Sequence, residues 1–279
     1  MTISTSASQW LERREISVEV AVAMGLYSAR READGSDNVV VVADPDGPIL
    51  AFPFIEGGAE VATKYRGKPR TDGSKVFWQR KGGKKTFFNA DVLSDPALSK
   101  GTDPLVIVEG EPDCLAVLTA GHPFVVSVPD GAPADRDSNG KRLAPVPESA
   151  DGIDPDNDEK FAYIANNWDR LKNIKHIVLF TDGDGPGDRL RDELVRRLGR
   201  VRCSFVRYPD LGGKKPDANE VLIQHGPAAV MAMIADAAPF PLKGIFRLSD
   251  FPVQERPKTI STGWGRLDLP APNGMCGLM

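Results

Sequence analysis

The sequence predicts an α/β protein: a mostly parallel sheet flanked by helices, preceded by a smaller α+β region. Three observations predict it. The short, continuously apolar runs "PLVIV" (104–108) and "HIVLF" (176–180) have the length and the Val, Ile and Leu content of strands buried on both faces. Each is followed closely by a segment of helical periodicity, "EPDCLAVLTAG" and "GDRLRDELVRRLG", as in βα units. The first hundred residues lack that alternation and mix short β-rich runs with basic loops.

In chain order, "SQWLERREISVEVAVAMGLYS" reads as one or two short helices, with Gly25 near an end. "NVVVVADPDGPILAFPFI" reads as a hairpin turning at "DPDG". The most basic segment follows: Lys64, Arg66, Lys68, Arg70, Lys75, Arg80, Lys81, Lys84 and Lys85 interleave with Tyr65, Phe77 and Trp78. A solvated β-meander and a phosphate-gripping surface both fit that pattern, with Tyr65 and Trp78 either in a core or stacked on bases. From "PLVIVEG" onward the βα alternation begins, with "FVVSVPDG" as a second strand and Gly121 stopping the helix between. Residues from about 132 to 160 are rich in Asp, Pro, Gly and Ser and predict a long loop. "FAYIANNWDRLK" reads as a helix, "VRCSFVRYP" as a fourth strand and "PAAVMAMIADA" as a helix leading to a Pro-rich connection. These shifts suggest three regions: 1–100, 101–226, and a linker plus the opening of another domain at 227–279.

Composition excludes several classes. With 41% hydrophobic and 27% charged residues and a net charge of −4, the 279-residue chain is neither disordered overall nor a nonspecific polycation. No apolar run approaches the roughly 20 residues of a membrane span, so no membrane partner is expected and a cytoplasmic setting is the default. Cys114, Cys203 and Cys276 are scattered, without zinc spacing or the pairing of a disulfide framework. "DGIDPDNDE" lacks the glycine and closing glutamate of a calcium loop. His122, His176 and His225 have no metal spacing.

The chemistry lies in the acids. Glu109 closes one strand, Asp182 and Asp184 close another, and "KKPDANEVL" brings Asp217 and Glu220 after a further strand. In open parallel sheets the crevice beyond the carboxyl ends of the strands is where ligands sit, so acids far apart in sequence can converge there. An all-oxygen set suits Mg²⁺, with Mn²⁺ as a substitute and no zinc. Alone, "DGDGPGD" is also an ordinary turn. Gly183, Gly185 and Gly187 read as residues that allow a sharp turn at positive φ and leave room for a phosphate near the helix start.

The ordered set "VEGEPDCL", "LFTDGDGPG" and "PDANEVL" resembles the TOPRIM domain of primases, topoisomerases and some nucleases. Within that superfamily it is similar to the bifunctional primase-helicases of phages and the related mitochondrial replicative helicase. "LAFPFIEGGAEVATKYRG" resembles that family's N-terminal primase subdomain, and "TGWGRLD" with "NGMCGLM" resembles the lead into a RecA-like helicase motor. The resemblance implies a Rossmann-like TOPRIM sheet and Mg²⁺-dependent synthesis of short RNA primers on single-stranded DNA from ribonucleoside triphosphates. It implies that Glu109, Asp182 and Asp184 are catalytic and that these with Asp217 hold the metal. Lys64, Arg66, Lys84, Lys85, Lys214, Lys215 and Asn219 are its nucleotide or DNA-binding candidates. A helicase domain in cis or trans is the implied partner, in a phage-infected or prophage-bearing cell. The family's complete primases carry an N-terminal zinc domain that these residues lack, so a separate zinc-binding protein is a candidate partner. The residues also stop before any "GxxxxGK[ST]" loop, so no helicase activity is expected of them alone. The alternative is a non-catalytic single-stranded-DNA-binding and oligomerisation module of a replicative helicase.

Overall fold

The computed structural model describes residues 2–33, 39–208 and 216–241. Lys214, Lys215, Cys276 and the expected lead into a further domain lie outside the described residues. The fold is α/β, with two five-stranded sheets among the described residues. The first sheet is antiparallel in the order β2-β1-β3-β4-β5, built from β1 (Tyr27–Ala33), β2 (Val39–Ala43), β3 (Ile49–Glu56), β4 (Ala59–Arg66) and β5 (Phe77–Gln79). The second has the order β10-β9-β8-β6-β7. Here β6 (Leu105–Val108), β7 (Val125–Ser127), β8 (Ile177–Phe180) and β9 (Cys203–Phe205) are parallel, and β10 (Ala238–Pro239) is antiparallel to β9.

The parallel strands are apolar throughout because both faces of their sheet are covered. Along β6, Val106 and Val108 enter one cluster while Leu105 and Ile107 enter the other; along β8, Val178 and Phe180 part from Ile177 and Leu179 in the same way. That is the two-residue alternation of a pleated strand, with apolar layers on both sides. Helices α4 (Glu111–Thr119) and α8 (Ala218–Ala235) supply Leu115, Val221 and Leu222 to the first layer. Helix α7 (Gly185–Leu198) supplies Leu190, Leu194, Val195 and Leu198 to the second. Each fully buried aliphatic of this kind contributes roughly 1.5–3 kcal/mol. The antiparallel sheet joins the first layer through Phe52 and Phe54 of β3, whose rings meet Phe88 edge-on at 6.4 and 5.6 Å. Helix α1 (Thr5–Glu12) is capped by the Ser4 hydroxyl, which accepts from the Ala7 amide, and packs Leu11 into the same layer.

Two local expectations are corrected and one open alternative is decided. The β-rich runs around "DPDG" do not form a hairpin: β2 and β3 both pair with β1, which lies between them. Gly47 makes that crossover fit, since a Cβ there would stand 2.1 Å from the Ala29 carbonyl oxygen of β1. The helix expected over "FAYIANNWDRLK" is broken into α5 (Ala162–Ala165) and α6 (Trp168–Leu171). Between them Asn167 turns its side chain inward and donates to the Tyr163 carbonyl at 2.8 Å and the Thr86 hydroxyl at 2.9 Å, competing with the helical bonds. Tyr65 is a core residue, its ring 5.4 Å from that of Trp78, and is closed to base stacking.

The long loop is present and strapped down. Arg136 and Arg142 form an isolated antiparallel bridge within its first half. Further along, Arg189 donates to the Ala144 carbonyl, Arg196 to that of Asp151, and Arg197 pairs with Asp158. Helix α7 thus holds the loop with three arginines. The other short helices are α2 (Val18–Ala23) and α3 (Pro96–Lys100).

Candidate active site

Strand β6 ends at Val108, and the next residue, Glu109, stands at the carboxyl edge of the sheet. Its Oε1 accepts from the Ala132 amide at 3.1 Å, while Oε2 is buried without a partner. Gly110 caps α4, and one turn into that helix lies Asp113, nearly fully buried. Strand β8 leads through Thr181 to Asp182 and Asp184. Asp184 is the N-cap of α7 and accepts from the Gly187 amide at 2.9 Å. The Gly183 amide donates to the Pro216 carbonyl at 2.8 Å, which ties this strand end to the entrance of α8. Asp217 caps α8 by accepting from the Glu220 amide at 2.6 Å, and the next amide but one, of Asn219, donates to Asp113 Oδ1 at 3.1 Å. Two helix N-termini therefore open towards the acids, where their amides and dipoles favour negative charge.

The glycines of "DGDGPG" act differently from the sequence reading. None of Gly183, Gly185 and Gly187 has a positive φ. They are needed for close approach: a Cβ would stand 2.4 Å from the Pro216 ring at Gly183, 2.2 Å from an Asp135 carboxylate oxygen at Gly185 and 2.0 Å from the Asp182 carbonyl oxygen at Gly187. Small residues here bring the entrances to α7 and α8 and the long loop against one strand end.

Five carboxyl groups thus face one crevice. Burial pushes Asp182 up to about 9, with Asp113, Glu109, Asp217 and Asp184 adding their repulsion. Burial and Asp217 push Asp113 up to about 8, although the Asn219 amide works the other way. Glu109 and Asp217 are also raised, chiefly by burial. Asp182 has no hydrogen bond or ion pair among the described residues. As placed, no three His, Cys, Asp or Glu side chains among the described residues converge on one coordination point. The donor set nonetheless suits a hard cation: oxygens only, four of the five carboxyls anchored by a backbone amide, and a buried Glu109 oxygen lacking a partner.

The expected cationic residues separate into different environments. Lys64 donates to both oxygens of the buried Glu111, at 3.0 and 2.9 Å, and to the Pro129 carbonyl at 3.2 Å. Lys85 pairs with Asp130 at 2.7 Å. Burial alone would raise that carboxyl, but Lys85 and Gln79 hold it below its ordinary value. Lys84 turns away to Glu56, which also meets Arg170 and the Thr86 hydroxyl. Arg66 lies over the Trp10 ring at 4.3 Å, Arg14 over the same ring at 4.7 Å. Burial and the neighbouring Arg14 and Arg13 lower the Arg66 guanidinium to about 10. Asn219 is buried and bonded on three sides: its amide nitrogen to Asp113, its side chain to the Arg14 carbonyl at 2.8 Å and the Arg14 guanidinium at 2.6 Å.

Asp113, Glu111 and Trp10 escape a reading by strand ends. The available signal for Asp113 was its spacing, four residues after Glu109, which brings a residue one helical turn on back towards the strand end.

Residues 103–207 match the Toprim domain family model. The chain is 35% identical over 231 residues to the Twinkle homolog protein, chloroplastic/mitochondrial, of Arabidopsis thaliana, covering 79% of this chain and 30% of that protein. It is 39% identical over 197 residues to the Primase homolog protein of Arabidopsis thaliana, covering 70% of this chain and 52% of the relative. The chain therefore spans between about a third and a half of the curated relatives it matches. The fold is similar to a solved chain from bacteriophage T7, from a structure of the lagging-strand DNA polymerase interacting with primase domains of two gp4 subunits bound to an RNA/DNA hybrid and dTTP. That likeness has a TM-score of 0.56 at 20% identity, over 82% of this chain and 92% of the other. With the strand-end acids, the Toprim match and both relatives agreeing, residues 103–207 are a Toprim domain, and the chain as a whole resembles the primase region of a primase-helicase.

Proposed function

We propose that this region synthesises short RNA primers on single-stranded DNA from ribonucleoside triphosphates, using Mg²⁺, as part of a primase-helicase. One observation carries the reading: five carboxyls gathered at the carboxyl ends of β6 and β8, of which Asp182 has no compensating partner. Buried like charges are costly unless a ligand offsets them, which is why strongly shifted acids mark functional sites. Glu109, Asp182, Asp184 and Asp217, joined by Asp113, would hold the metal. A divalent cation bound there supplies neutralisation of the triphosphate and a lower pKa for the attacking hydroxyl.

The chain's own residues do the rest. The amides that hold Glu109, Asp113, Asp184 and Asp217 fix those carboxylates before any ligand arrives, so little reorganisation is left for the reaction. Lys64 and Lys85, at Pro129 and Asp130, border the acids on the side of the antiparallel sheet and would meet phosphate oxygens. Trp10, with Arg66 and Arg14 over its ring and the exposed Arg13 and Lys68 beside the same groove, would carry a nucleic-acid strand by base stacking and backbone charge. Asn219 would act through Asp113 and Arg14, linking the acidic crevice to that groove. A helicase domain, in cis or in trans, is the partner this reading implies, and a separate zinc-binding protein is a candidate.

Incubation of the protein with single-stranded template, ribonucleotides and Mg²⁺ should yield oligoribonucleotides, and Asp182→Asn with Asp184→Asn should abolish them. Absence of product even with a zinc-bearing partner added would contradict the reading. Wild-type protein that binds DNA but makes no primer, with binding unchanged in the double Asn variant, would favour the non-catalytic module instead.

A further inference from the structure

The long loop reaches the acidic crevice at both of its ends. Near its start, the Ala132 amide holds Glu109 Oε1. At its end, Lys160 donates from Nζ to the Asp130 carbonyl oxygen at 2.8 Å. The segment just before the loop, Pro129–Asp130, is where donors from separate parts of the chain meet. Lys64 of β4 donates to the Pro129 carbonyl, Gln79 of β5 donates to the same carbonyl at 3.0 Å and to Asp130 Oδ1 at 2.9 Å, and Lys85 pairs with Asp130 Oδ2.

Charge separates these lysines. Lys64 is neutralised by buried Glu111 and Lys85 by Asp130. Lys160 is half-buried, makes one hydrogen bond to a neutral carbonyl, and has no carboxylate within ion-pair distance among the described residues. An ammonium has three donors, so this bond leaves two. Only Gly131 lies between its acceptor, Asp130, and the Ala132 amide that holds Glu109, a reach of at most about 7 Å. Burial lowers the Lys160 ammonium, with Lys85 and Lys64 adding repulsion against the pull of Asp130 and Glu109.

We infer that Lys160 is a phosphate-binding residue, the third ammonium of a cradle with Lys64 and Lys85 that receives phosphate oxygens at the edge of the acidic crevice. The inference rests on the reading of that crevice as a nucleotide site. Two sources share this chemistry, the triphosphate of an incoming nucleotide and the backbone of a bound strand. Proximity to Glu109 favours the triphosphate. A cation on the loop also gives that insertion a role: its two ends fix one acid and one base beside each other.

The test compares the full chain with Lys160→Met, which keeps the aliphatic stem, and Lys160→Arg, which keeps the charge. Three quantities are measured: binding of inorganic tripolyphosphate with Mg²⁺ by calorimetry, KM and kcat for ribonucleotide in primer synthesis, and Kd for single-stranded DNA against salt. Loss of a charge-assisted bond to phosphate should weaken tripolyphosphate binding and raise KM by about ten- to a hundredfold in Lys160→Met. Single-stranded DNA affinity should stay unchanged, and Lys160→Arg should recover most of the loss. A weaker DNA Kd with a shallower salt slope and unchanged tripolyphosphate binding would support a phosphate contact to the strand instead. A lower kcat or Tm in Lys160→Met with both phosphate affinities unchanged would overturn the inference, because Lys160 would then only hold the loop. A wild-type protein that binds tripolyphosphate through Lys160 yet makes no primer would refute the primase reading and leave this inference standing.

Discussion

Two charged regions of this molecule are built on opposite terms. On and beside the antiparallel sheet, several cations have an acid at hand: Lys84 meets Glu56, Arg80 meets Glu60, and Arg170 of α6 bridges Glu56 and Asp91. At the carboxyl ends of β6 and β8, five acids share one crevice; burial raises Asp182, Asp113, Glu109 and Asp217, and repulsion from acids of the same group adds to the first three. The fold can satisfy its charges locally, and does so elsewhere. Where it leaves like charges together, the missing compensation must come from a bound cation, a proton or a phosphate's metal.

Substitutions that separate these regions can break the comparison. The largest effect is expected at Asp182→Asn, which removes the acid without a partner: primer synthesis should fall on the order of 10⁴-fold, roughly 5 kcal/mol of activation free energy. Steady-state assays at saturating Mg²⁺ measure it, and a loss under tenfold would remove Asp182 from the chemistry. Next is Lys64→Ala, which leaves Glu111 buried and unpaired. Stability should drop by about 3–5 kcal/mol in urea titration, a cost that Lys64→Ala with Glu111→Gln should largely recover. No recovery in the double variant would show that Lys64 acts through something other than this pair.

Smaller effects follow. Gly187→Ala should cost about 1–3 kcal/mol of stability, because its methyl must displace the Asp182 carbonyl, and calorimetry should register it together with weaker metal binding. Trp10→Ala should weaken single-stranded DNA binding by roughly 1–3 kcal/mol, read by fluorescence anisotropy. Lys84→Ala should change stability by less than about 1 kcal/mol and leave DNA affinity unchanged, since it removes one exposed ion pair. A DNA-binding loss at Lys84 as large as that at Trp10 would erase the contrast between the two regions.

The parallel sheet and its acids were legible in the sequence because they rest on local patterns. "PLVIVEG" and "HIVLFTDGDG" each give an apolar run of strand length that ends in an acid, and βα alternation puts those ends on one edge. What was not legible depends on partners distant in the chain. The strand β1, "YSARREA", is mixed in polarity, and only its packing between β2 and β3 assigns its place. The sequence "KK" at 84 and 85 gives no sign that one lysine faces Glu56 and the other Asp130. Glycine next to aspartate suggested backbone freedom, whereas the need was for the absence of a Cβ at three crowded points. Lys160 lies at the end of a polar loop, and nothing in "DNDEKF" points to the Asp130 carbonyl thirty residues earlier.

The most direct test of the central claim is thermal stability against pH, with and without Mg²⁺, in wild type and Asp182→Asn. Asp182 and Asp113 have folded values of about 9 and about 8, above the 3.8 of an ordinary aspartate, so the folded state holds more protons than the unfolded one between these limits. The contribution of these groups to stability is therefore full below about pH 4 and is lost as pH rises towards 8 and 9. In wild type, Tm without metal should fall over that range, and Mg²⁺ at a hundredfold excess over its dissociation constant should restore about 2.7 kcal/mol at pH 8. Asp182→Asn should be more stable than wild type at pH 8 without metal and should gain little from Mg²⁺. A Tm that stays flat across this range, or an Mg²⁺ gain as large in Asp182→Asn as in wild type, would contradict a metal site at the carboxyl ends of β6 and β8.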